Sequence, residues 1–172
     1  MELSIQKQKI GRHSIELPAT AEVRGETIFN PAKFQSIYYR IRAIKASAER
    51  QWGKMNVVQM LNHLKVATGS GLKFYGLKDE SSFLYRTIIK FLVVRVFKQL
   101  PKNAAAPKAF KTELNNNLDF ETERDQALDI LKMAYSSNSK RYPHPLFGIM
   151  TSTEWGRLVY RHFDHHLSQF RA

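Results

Sequence analysis

The chain of 172 residues contains no cysteine. Disulfides, thiolate metal ligands and a thiol nucleophile supplied by the protein are thereby excluded, and the composition fits a reducing compartment, for which we expect the cytoplasm. No long apolar run is present either. The richest stretch, FLYRTIIKFLVVRVFKQL, is broken by Arg86, Lys90, Arg95 and Lys98, and the opening MELSIQKQKIGRHS lacks the apolar segment of a signal peptide. Neither export nor a membrane-spanning helix is expected. Acidic residues are scarce, 15 against 27 lysines and arginines, which leaves a net charge of +12.

That charge is uneven. Residues 31–118 hold sixteen basic and four acidic residues, whereas residues 119–136 hold two basic and five acidic ones. Such a bias makes nucleic acid or an anionic membrane surface an alternative partner. No zinc-finger spacing, helix-turn-helix signature or RNP-like aromatic strand accompanies it, so only salt-sensitive, sequence-independent nucleic-acid binding is expected. Hydrophobic residues at 43% describe a globular protein, and the length predicts one domain with a core that needs no staple.

Residues 1–29 show only short alternations and read as an N-terminal arm or short hairpin. Asn30-Pro31 opens a helix expected to run to Ala48, with Phe34, Ile37, Tyr38, Ile41 and Ile44 on its apolar side. Asn56 and Gln59 form a capping box for a second helix, which the Gly69-Ser70-Gly71 cluster closes or interrupts. A third helix is expected from Ser82 to Leu100. Ile88, Ile89, Leu92, Val93, Val96, Phe97 and Leu100 make its core half, while Phe83, Leu84, Phe91 and Val94 form a second stripe among the basic residues. That stripe asks for a partner, a second copy in a homodimer first and an anionic lipid surface second. Residues 101–118 read as a long crossover loop, and Asp119 to Ser136 as a helix whose Glu121, Glu123 and Asp125 suit the N-terminal dipole. YPHPLFGIM then reads as an extended turn with His144 exposed between two prolines, a structural or substrate-facing residue before a metal ligand.

Thr151 and Glu154 form another capping box, which starts the terminal helix. At about 100° per residue, Trp155, Leu158, Val159, Phe163 and Phe170 form one arc, and Glu154, Arg157, Arg161, Asp164 and Ser168 lie opposite. His162 and His166 fall inside the apolar arc, one turn apart, a spacing that suits two imidazoles on one metal ion; His165 lies at its edge. The alternative is a pair of core histidines that each find a backbone partner. On the second helix His63 shares the stripe of Met60 and Ala67, so a third inward histidine comes from a separate element. Gln59, one turn before His63, either orients a ligand or simply supports the helix start. Phe163 follows His162 where a zincin protease needs glutamate, which argues against that class.

The order WGKMNVVQMLNHL, an acidic helix, then HPLFGIMTSTEWGRLVYRHFDHHLSQF resembles the DinB/YfiT-like superfamily of metal-dependent proteins, nearest its uncharacterised branch with HPLFG and HxxHHxxQF segments. The resemblance covers most of Asn30 to Phe170. It implies an all-α fold, a mostly antiparallel four-helix bundle over residues 30–172, with His63, His162 and His166 binding a divalent ion such as nickel or zinc. Gln59, His165 and Gln169 are then candidates for the shell around those ligands. The resemblance further implies a transferase that uses a low-molecular-weight thiol on a small-molecule substrate. The alternatives are a hydrolase at the same site and a non-catalytic bundle, either metal-stabilised or binding nucleic acid or a membrane surface.

Overall fold

The computed structural model describes residues 25–76, 78–102, 117–137 and 139–172. Most of the expected N-terminal arm and most of the expected crossover loop lie outside the described residues.

Three helices start where the sequence predicts. Asn30 accepts the N–H groups of Ala32 and Lys33 at the head of α1 (Pro31–Ala43). Asn56 and Gln59 close a reciprocal capping box on α2 (Val57–Gly71), and Asp119 accepts the Thr122 N–H at 2.8 Å to begin α3 (Phe120–Ser136). α1 ends five residues short of Ala48, because Ile44 leaves in an extended conformation and buries its side chain to 5% exposure. Helix propensity there yields to tertiary packing. α2, by contrast, runs through both glycines of its Gly69-Ser70-Gly71 cluster. A Cβ on Gly71 would overlap the Trp155 indole nitrogen, so this glycine permits a close crossing with the last helix and does not break its own.

The stretch expected as one α-helix over 82–100 is wound mainly as two π-helical segments, Tyr85–Ile89 and Leu92–Val96; Phe97 N–H, for example, bonds the Leu92 carbonyl five residues back. Wider winding shifts which residues face inward. Val94, assigned to the outer stripe, is 1% exposed, while Ile88 and Val96, assigned to the core, stand out in solvent. Phe83, Leu84 and Phe91 are exposed as the stripe predicted.

The all-α expectation needs a further correction. Instead of an extended turn, β1 (Arg141–His144) pairs antiparallel with β2 (Gly148–Thr151), His144 opposite Gly148. Two prolines hid the strand, which is tolerated because an edge position does not need their missing N–H groups. Tyr142 on β1 stacks on Trp155 at 4.1 Å, anchoring the hairpin to the start of α4 (Ser152–Gln169), whose Thr151–Glu154 capping box forms as predicted.

α1 and α2 each lie against both α3 and α4, and their apolar faces meet in one core that includes Ile37, Leu61, Leu131 and Phe163. Ile28, fully buried, joins that core from the expected arm, its N–H bonded to the Gly156 carbonyl at 2.9 Å. On the polar side of α4, Asp164 binds Arg40 of α1 at 2.6 Å. Arg161, expected among these polar residues, is 9% exposed and donates to the Val93 and Val94 carbonyls at 2.9 and 3.1 Å. It caps the π-helical stretch, whose wide turns leave carbonyls that no later N–H reaches. No described helix is long and apolar enough to cross a membrane.

Candidate metal centre

α2 and α4 run antiparallel, Gly71 beside Trp155 at one end and His63 beside His162 further along. This crossing brings three imidazoles to one point. His63 Nε2 lies 3.0 Å from His162 Nε2, which lies 3.1 Å from His166 Nε2, and one nitrogen from each ring falls within a 4.8 Å set. Three nitrogens at about 2.1 Å from a tetrahedral ion stand roughly 3.4 Å apart, so small side-chain adjustments reach that geometry.

The nitrogens conflict without a cation. A neutral imidazole nitrogen offers either one hydrogen or one lone pair, so His162 Nε2 can satisfy one of its two contacts. Protonation is disfavoured as well. Burial holds His162 well below its ordinary pKa, and the charges of His166, His63, His165 and His144 act in the same direction. Burial, then the charge of His63, pushes His166 down to about 3, against an opposing bond from Gln169. Neutral rings whose Nε2 atoms converge offer, in the tautomer with bare Nε2, the donor set a divalent transition metal takes, and three of them would leave coordination positions open. His162 is partly exposed, so the cluster reaches the surface on one side.

The other candidates divide. Gln169 Oε1 lies 3.2 Å from His166 Nδ1, on the side of the ring away from the other two histidines. His165 is not in the cluster; its ring meets Trp52 and His166 edge-on at 6.0 and 5.0 Å, and burial lowers its pKa most. Gln59 accepts the Asn56 N–H through Oε1 at 3.0 Å, the helix-supporting one of its two readings.

His144 is a correction. Expected to be exposed, it is stacked on Phe147 at 4.5 Å, and Nδ1 accepts the N–H groups of Leu146 and Phe147 at 3.2 Å each. Burial lowers its pKa to about 3. It lines a cavity of about 350 Å³ with Ser70, Lys73, Tyr75, Arg86 and Ile149. Ser70 follows His63 by seven residues on the same face of α2, about 10 Å along the axis. The sequence points to a structural or substrate-facing histidine here and misses only its half-buried placement, because the turn that covers His144 is made by backbone N–H groups.

No curated protein and no solved structure matches the chain significantly. A family model does match, over residues 32–172, an interval that contains α2 to α4, all of α1 but Pro31, and all three converging histidines. The chain therefore belongs to the family described as protein of unknown function (DUF1569).

Proposed function

We propose that this protein is a metal-dependent enzyme of the DinB/YfiT-like kind, a transferase that uses a low-molecular-weight thiol, with α1 to α4 as a mostly antiparallel four-helix bundle in a single cytoplasmic domain. The observation that carries the reading is the convergence of His63, His162 and His166 on one point, with contacts of 3.0 and 3.1 Å that uncharged rings cannot both satisfy. A nickel or zinc ion held there supplies an open Lewis-acid position that lowers the pKa of a thiol or water. The chain has no cysteine, so a sulfur nucleophile must arrive from outside. Of the cations beside the cavity, Arg86 is paired with Asp79 at 3.1 Å, and Lys73 is the one that favours a small molecule with an anionic group.

The hydrolase reading uses the same residues with water in place of the thiol. One experiment tests both. Protein purified without a metal-affinity column is analysed for metal, then wild type, His63→Ala and His166→Ala are assayed for thiol conjugation and for ester and amide hydrolysis. Close to one metal per chain, with activity lost in both variants, is expected. Well-folded wild type without metal, or activity indifferent to both substitutions, refutes the enzyme and leaves a metal-free binding role.

A further inference from the structure

Gln169 is the final residue of α4, where helices ordinarily fray, yet it is 3% exposed. The turn between α1 and α2 holds it. The Gln169 carbonyl accepts the Gln51 N–H at 2.7 Å, and its side-chain Nε2 donates to the Trp52 carbonyl. That second bond decides which end of the amide faces the histidine. With nitrogen on the Trp52 carbonyl, oxygen must face His166, so Nδ1 carries the hydrogen and Nε2 is left as the bare acceptor that points to the other two histidines. This is the tautomer a metal ligand requires.

Gly53 makes the approach possible. Its φ is +80°, and an added Cβ would overlap Gln169 Nε2. Any side chain there displaces the amide, and most are strained by the backbone as well. Trp52 is fixed in turn, its ring edge-on to His165 and covered by the Lys102 ammonium at 4.5 Å.

We propose that the turn Gln51–Gly53 is a positioning element for the metal centre: acting through Gln169, it locks His166 in the Nδ1–H tautomer, and Gly53 is the residue that lets it do so. The role rests on the metal-centre reading. It differs from a merely structural tie, because it predicts effects on the ring's tautomer and on metal affinity that are separable from stability.

Nitrogen-15 NMR of the histidine rings in metal-free wild type reads the tautomer directly. His166 is expected with its hydrogen on Nδ1, and a hydrogen on Nε2 overturns the proposal whether or not any variant folds. Cobalt(II) is then titrated against a competing chelator into wild type, Gly53→Ala, Gly53→Asn, Gln169→Ala and the Gly53→Ala/Gln169→Ala pair. Loss of an outer partner of a ligating histidine costs about 10- to 100-fold in metal affinity, and that loss is expected for Gln169→Ala. Gly53→Ala should weaken cobalt about tenfold in the wild-type background and have no further effect once Gln169 is gone. Asparagine tolerates the left-handed backbone, so Gly53→Asn should recover thermal stability relative to Gly53→Ala without recovering cobalt affinity. Additive losses in the double variant, or wild-type affinity in Gln169→Ala, overturn the positioning role alone. Wild type that takes up no cobalt overturns the metal centre and this role with it.

Discussion

Glu123 offers the sharpest test of how α2 and α3 are joined. Its carboxylate, 6% exposed, accepts from Lys65 Nζ at 2.6 Å and from Asn62 Nδ2 at 3.1 Å, while the Lys65 side chain is 12% exposed. Glu123→Ala takes the counter-charge from a nearly buried ammonium and leaves a buried amide without its acceptor. Breaking a buried pair from one side costs about 3–5 kcal/mol. Gln126 Oε1 still accepts from Lys65 at 2.7 Å, which puts the expectation at the lower end, about 3 kcal/mol. For a chain of this length that lowers Tm by roughly 6–12 °C. Urea unfolding should show the midpoint falling with an unchanged slope. The double variant Lys65→Met/Glu123→Gln removes both charges, keeps an amide oxygen for Asn62, and is expected within about 1 kcal/mol of wild type. A loss below about 1 kcal/mol for Glu123→Ala would show that the pair is solvated and that apolar packing alone joins these helices.

Three further outcomes are expected. Gly71→Ala forces a methyl against Trp155, which Tyr142 prevents from retreating, and should cost about 2–3 kcal/mol in urea unfolding; a neutral result refutes the close crossing of α2 and α4. His144 takes a proton below about pH 6.5 when unfolded but stays neutral to about 3 when folded, so its burial is without cost above pH 6.5 and reduces stability as pH falls. At pH 5 that amounts to about 2 kcal/mol. His144→Asn, whose side-chain oxygen can accept the same two N–H groups, should remove that part of the pH 7 to pH 5 loss in chelator-treated protein, and equal losses in both would refute the burial. Phe83, at 83% exposure, and Phe91, at 59%, leave apolar surface open among basic residues. Light scattering should find a homodimer that Phe83→Asp/Phe91→Asp converts to monomer; a wild-type monomer that sediments with anionic liposomes would replace the second copy with lipid.

Local signals made much of this legible. Asn30, Asn56, Asp119 and Thr151 each mark a helix start because capping chemistry is confined to four consecutive residues. His63, His162 and His166 could be chosen because helical periodicity fixes which face each occupies, and an apolar face is no ordinary place for three imidazoles. Periodicity failed where its own premise failed: a 3.6-residue wheel misplaced Ile88, Val94 and Val96 in segments wound with wider turns. It also put Arg161 in solvent, since no pattern within α4 reveals carbonyls waiting on another element. Glu123 looked like a charge for its own helix dipole and instead reaches across to α2. The contact between Gln169 and Trp52 joins residues 117 positions apart, a separation at which neither spacing nor composition carries information.

His63 and His162 meet across 99 positions of chain. An ion shared between them, as proposed, would fasten a loop that takes in most of the protein, and would do so in a sequence with no cysteine to form a covalent bridge. By loop entropy a closure of this length restricts the unfolded chain by about 4–5 kcal/mol, as much as a long-range disulfide. Unlike a disulfide, such a clasp opens when the metal is withdrawn and is indifferent to reductants. If the site is filled as proposed, the protein's lifetime in a reducing cell would follow the supply of that metal, with chains made during scarcity the first to be degraded.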